Sequence, residues 1–168
     1  MHEVAFVSQL ENVQPQNGCG IASLMMLLKF HCDDRRVPSY EQLANGLRAD
    51  KLPSEKSYTW YRDKWGKGAY VDDVCLWLLQ NGLAFKAISQ KSRSNERLLF
   101  RFLSDGPVMV GMEWHGGHWV VLVDSNSEHI TMLDPLRRSD ERYLRRISRS
   151  RFFSAWDGPA ISILGISS

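Results

Sequence analysis

Three residues in this chain could together carry nucleophilic chemistry: Cys19, His118 and Asp134. Cys19 lies in Gly18-Cys19-Gly20, just before the apolar run Ile21-Ala22-Ser23-Leu24-Met25-Met26-Leu27-Leu28. A helix starting there sets the thiol at the positive end of its macrodipole, which favours the thiolate. A free thiol of pKa about 8.5 can fall to roughly 3.5–7.5 beside such a terminus and a cationic imidazole. The same stretch suits a buried structural cysteine equally well, so the company that Cys19 keeps must decide.

His118 opens the run His118-Trp119-Val120-Val121-Leu122-Val123, and Asp134 follows Ile130-Thr131-Met132-Leu133. Both runs have the apolar, β-branched character of buried strands, and Ser125-Asn126-Ser127 between them has turn chemistry. A hairpin centred on Asn126 sets His118 directly opposite Asp134, with both side chains on one face. A one-residue bulge would break that register. The chemistry suited to the pair is proton transfer: a carboxylate accepting from one imidazole nitrogen fixes the tautomer and leaves the other nitrogen free. Against Cys19, such an imidazole makes an activated thiolate. Gln14, five residues before Cys19, is placed to fold its amide back toward the sulfur. With the Cys19 backbone N–H it could form an oxyanion hole, and Gln16 competes for that role.

The elements that must hold these groups follow from pattern. Residues 19–31 read as a buried helix, apolar on nearly every face. Ser39-Tyr40-Glu41-Gln42 is a capping box that opens a second helix running to about Leu47. Val71-Asp72-Asp73-Val74 starts a third, with acids in its first turn and Asn81-Gly82 as its stop. A short strand at 85–89 and a helix at 95–104 come next. Strands at 108–112, 118–123, 129–133 and 160–166 complete an α+β domain, with N-terminal helices packed on a C-terminal antiparallel sheet.

Composition sets the outer bounds. The chain has 168 residues, enough for one domain spanning 1–168 with a core of its own. A net charge of +2 excludes a general polyanion binder, so charge recognition must be local. The three cysteines, Cys19, Cys32 and Cys75, form no CxxC pair and suit a reducing compartment. With neither a signal-like start nor a long apolar run, the expected location is the cytoplasm as synthesised, export without a signal peptide being the other route.

Taken together, these residues resemble the bacteriocin-processing, double-glycine cysteine peptidases, which have a papain-like fold. The resemblance rests on Gln14-x4-Cys19-Gly20 with Ala22-Ser23-Leu24-Met25, on Gly117-His118-Trp119-Val120-Val121-Leu122, on Asp134-Pro135, and on the closing Phe152-Phe153-Ser154-Ala155-Trp156-Asp157-Gly158. It implies a papain-like domain and a cysteine peptidase with no metal and no organic cofactor. Cys19 would be the nucleophile, His118 the general acid and base, Asp134 its orienting partner and Gln14 the oxyanion donor. It also implies cleavage after small residues, typically two glycines. A protein or peptide substrate is expected, with room for an inhibitory partner protein; neither membrane nor nucleic acid is. Family members often precede an export transporter and nothing transporter-like follows here, which points toward a stand-alone enzyme such as an effector or toxin.

Other features have plainer readings. His115 and His118 lack further ligands at metal spacing. Trp114-His115-Gly116-Gly117 suits a cleft wall, with Trp114 and Gly117 as substrate-binding candidates because glycine lets a substrate backbone approach. The arginine-rich stretch 137–151 reads first as a solvated helix face and second as a dock for an acidic protein surface or for nucleic acid. Cys32 and Cys75 read as packing residues. The aromatics and lysines of 50–69 either cover the core or contact a partner. Two functional alternatives keep their place: a glutamine deamidase or transglutaminase using the same three residues, and a non-catalytic binding module.

Overall fold

The computed structural model describes residues 1–12, 18–47 and 71–166. Five helices and six strands appear among them: α1 (Cys19–His31), α2 (Tyr40–Leu47), α3 (Val71–Gln80), β1 (Leu83–Ile88), α4 (Arg93–Asp105), β2 (Val108–Met112), β3 (His118–Ser125), β4 (His129–Leu133), β5 (Leu144–Ser148), α5 (Arg149–Ala155) and β6 (Trp156–Ile166). The strands form one antiparallel sheet in the order β1-β6-β2-β3-β4-β5. The α+β class expected from the sequence is what the chain adopts. No helix among the described residues is long and apolar enough to cross a membrane.

Local chemistry sets the element boundaries. The capping box before α2 is reciprocal: Gln42 N donates to Ser39 Oγ at 3.2 Å, and Ser39 N to Gln42 Oε1 at 2.9 Å. Ser92 caps α4 by accepting from Asn95 N, and Ser148 caps α5 by accepting from Arg151 N. After α3 the chain turns at Gly82, whose φ of 67° is open to glycine at little cost.

The two faces of the sheet carry separate clusters. Along β3, Trp119, Val121 and Val123 pack with Leu24, Leu27 and Leu28 of α1 and with residues of α2 and α3. Their alternates Val120 and Leu122 pack with Leu99 and Phe102 of α4, and with Phe152 of α5. This period-2 division explains why β3 reads as a continuous apolar run: both faces are covered. Burial of each such side chain contributes about 1.5–3 kcal/mol, which holds α1 firmly on the sheet.

Two expectations need correction. The stretch 137–151 is not one helix face: residues Leu144–Ser148 form β5, paired with β4, and only then does α5 begin. The hairpin is also shifted. Ser125 faces Ile130 and Asp124 faces Thr131, which centres the turn beyond Ser127, and a bulge between Leu122 and Asp124 then sets Val121 opposite Leu133. Asp134 is thus in line with Val120, not with His118, which lies two residues further along on the same face.

The first residues of the chain run as an extended strap beside the sheet. His2 N donates to Val123 O at 2.8 Å and Gln9 N to Pro135 O at 2.9 Å. Ser139 donates to Glu11 Oε1 through both its backbone N–H and its hydroxyl, each at 2.8 Å. Phe6 stacks on Tyr143 with ring centroids 4.1 Å apart. The strap thereby fixes the loop that carries Asp134.

Candidate active site

Cys19 is the first residue of α1, preceded by Gly18 as N-cap. Gly18 has no side chain with which to satisfy the first-turn N–H groups, and no acidic residue stands in that turn to offset the dipole. The start of the helix is pinned from α2: Tyr40 Oη donates to Gly18 O at 3.1 Å, the same carbonyl that receives Ala22 N at 2.9 Å. Cys19 is partly exposed and otherwise packs against the cluster that holds α1 on the sheet.

His118 opens β3, preceded by a short 3-10 turn at Trp114–Gly116. That turn is tightly wound. His115 has a positive φ of 53°, rare for a residue with a side chain, and Gly117 follows at 116°. The His115 ring meets the His118 ring edge-on, with centroids 5.9 Å apart.

The register correction does not separate His118 from Asp134. As diagonal same-face neighbours they remain within reach, and His118 Nε2 lies 2.7 Å from Asp134 Oδ1. The pair is buried, with His118 5% and Asp134 2% exposed. With Nε2 engaged, Nδ1 is the ring nitrogen left over, and the Cys19 side chain is in hydrogen-bond contact with His118. Cys19, His118 and Asp134 are therefore brought together. Asp134 is held on every side: Leu136 N donates to Oδ1 at 3.1 Å and Arg145 Nη1 to Oδ2 at 2.7 Å.

Electrostatics follows from this geometry. Burial alone would depress the His118 pKa, but the hydrogen bond to Asp134 and the contact with Cys19 outweigh it and raise the value to about 9. Burial likewise pushes Asp134 upward, and the hydrogen bond from His118, followed by that from Arg145, reverses this and holds the carboxylate well below its ordinary range. His118 is thus an imidazolium at neutral pH, in contact with both a carboxylate and the Cys19 side chain.

Trp114 is half-buried, and the Arg145 guanidinium lies 4.8 Å from its ring centroid; Gly117 is exposed beside the site. Gln14, Gln16 and the 50–69 segment lie outside the described residues. Arg145 is the participant that sequence reasoning missed. A buried carboxylate calls for a nearby cation, and the arginine-rich stretch after Asp134 could have supplied that hint.

Known proteins share this fold. The family model described as "Peptidase_C39 like family" matches residues 1–159. No curated protein matches significantly. Among solved structures, one described as a C39-like peptidase from Bacillus anthracis is 21% identical, with a TM-score of 0.72 over 99% of this chain and 96% of that one. The peptidase domain of Streptococcus ComA, a bi-functional ABC transporter involved in a quorum-sensing pathway, is 18% identical, with a TM-score of 0.65 over 98% and 99%. A double-glycine motif protease from an AMS/PCAT transporter, solved in complex with the leader peptide, is also 18% identical, with a TM-score of 0.64 over 96% and 91%. At these identities the structures show a shared fold. The family match over nearly the whole length shows more: the chain belongs to the Peptidase_C39-like family, and it is a cysteine peptidase.

Proposed function

We propose that the chain is an endopeptidase that cuts a peptide or protein after small residues such as a double glycine, with Cys19, His118 and Asp134 as its catalytic triad. The observation that carries the reading is the buried His118–Asp134 hydrogen bond, with Cys19 in contact with the same imidazole. The substrate class comes from the relatives, one of which is a double-glycine motif protease solved with a leader peptide.

The chemistry runs in two stages. The Cys19 thiolate attacks the scissile carbonyl carbon, forming an S–C bond as the carbonyl oxygen takes the charge. The Cys19 backbone N–H, at an uncapped helix start, and the amide of Gln14 donate to that oxygen. Imidazolium His118 gives its Nδ1 proton to the leaving amine as the C–N bond breaks. His118, now neutral, takes a proton from water as the water attacks the thioester, and the C–S bond breaks to restore the thiolate. Throughout, Asp134 keeps Nε2 engaged and the ring in place. Trp114 and Gly117 form the wall past which small residues approach, glycine at 117 leaving room for substrate backbone.

The test is mass spectrometry of peptides carrying an internal Gly-Gly, alongside the same peptides with one glycine replaced by leucine. Wild type is expected to yield fragments ending at the second glycine and to cut the leucine peptides far more slowly. Cys19→Ala is expected to yield none. A deamidation mass gain without fragments would move the same residues to the amidase reading.

A further inference from the structure

Arg145 stands where neither family membership nor sequence pattern placed a functional group. It lies on β5 directly across from Met132 of β4, two residues short of Asp134. A long side chain on that face reaches diagonally to the carboxylate. Its neighbour Arg146 alternates away, with Nη2 at 3.3 Å from His129 Nδ1. Among the described residues, Arg145 is the arginine paired with a carboxylate.

Arg145 makes two contacts at once. Nη1 donates to Asp134 Oδ2 at 2.7 Å, the oxygen that His118 does not use. The guanidinium plane also lies over Trp114, in the turn that leads into His118. One side chain therefore braces both the group that orients the imidazole and the backbone that delivers it. We propose that Arg145 is the positioning residue of this site, fixing Asp134 through Oδ2 and offsetting its charge beside His118. With Arg145 present, the carboxylate lies between two cations, the His118 imidazolium and the guanidinium. Without it, a nearly fully buried carboxylate is held through Oδ1 alone, by His118 and Leu136 N, and acts on His118 with no cation on its far side.

The consequence is a change in the titration of His118. The groups that face the imidazole are Cys19 from α1, Asp134 from the end of β4 and His115 from the preceding turn, with Arg145 acting through Asp134. Removing the guanidinium leaves the carboxylate's full field on the ring, so the imidazolium should hold its proton more tightly. An upward shift of about one pH unit is the order expected for a lost charge at this range in a partly screened site. A role confined to packing would not move it.

The consequence for catalysis rests on the peptidase reading; the titration does not. The experiment is an NMR titration of His118, assigned with His118→Gln, in wild type, Arg145→Met and Arg145→Lys. The midpoint is expected to rise in Arg145→Met and to stay near the wild-type value in Arg145→Lys. An unchanged or lowered midpoint in Arg145→Met, or an equal rise in both variants, overturns the proposal. Should Arg145→Met fail to fold, Arg145→Gln removes the charge while keeping an amide donor, and the same outcomes apply. Peptide cleavage by the same samples separates the two readings. A shifted His118 in a protein whose wild type cuts no peptide sinks the peptidase reading alone; normal cleavage with an unshifted His118 sinks the role of Arg145 alone.

Discussion

Helix α1 has a cysteine at each end, and the two ends differ in helix polarity and in the charged groups around the thiol. Cys19 begins the helix at its positive pole, in contact with an imidazolium. Cys32 ends it as C-cap at the negative pole, where burial pushes its thiol up, and the opposing effects of Arg36 and Asp33 do not restore it. Cys75, inside α3, is pushed further, to about 11, by burial and by Asp72. Residue type is the same in all three, and partial exposure is shared. The difference teaches that polarity of the helix end, together with a partnered histidine, distinguishes a candidate nucleophile from packing thiols.

That contrast can be broken most severely at the sulfur itself. Cys19→Ala should abolish peptide cleavage while leaving the circular dichroism spectrum unchanged, and Cys32→Ser should cleave at the wild-type rate. Loss of activity in Cys32→Ser with a folded chain would erase the distinction. His118→Ala should cost roughly 10²–10⁴-fold in kcat, the usual range for a general acid–base group. The third effect is on the scaffold. Leu24 is fully buried where α1 meets the sheet, so Leu24→Ala should lower unfolding free energy by about 2–5 kcal/mol in a denaturant titration.

A smaller and more diagnostic effect comes from pH. The His118 pKa is raised from its ordinary 6.5 to about 9, so the stability it supplies is complete below pH 6.5 and is lost as pH rises through about 9. The Asp134 value is lowered from its ordinary 3.8, so its contribution is present above that pH and is lost on further acidification. Melting temperature should therefore be highest between about pH 4 and 6.5 and should decline toward pH 9. His118→Gln should flatten the alkaline decline, while Cys32→Ser should leave it intact.

Much of this organisation was legible in the sequence where local chemistry decides it. Ser39 and Gln42 announced the start of α2, Asn81-Gly82 the end of α3, and the apolar runs of β2, β3 and β4 their buried strands. What escaped was decided between elements. Leu144-Arg145-Arg146-Ile147-Ser148 lacks the apolar run of a central strand because β5 is an edge strand, where charged side chains are tolerated. The His118–Asp134 register was misplaced because the turn is centred beyond Ser127 and not on Asn126, an offset that the bulge after Leu122 only partly takes back. Even so, the misplacement kept both residues on the same face, because it amounts to an even number of positions at that end of the hairpin. Arg145 was hidden for the same reason as β5: only pairing with β4 brings it to Asp134.

The most direct test of the central claim is the site-resolved rate of alkylation of the native protein by iodoacetamide at neutral pH, read by peptide mass spectrometry. Cys19 is expected to label much faster than Cys32 or Cys75, and His118→Ala is expected to remove that advantage. Equal labelling at the two ends of α1, or a Cys19 rate indifferent to His118, would contradict the account.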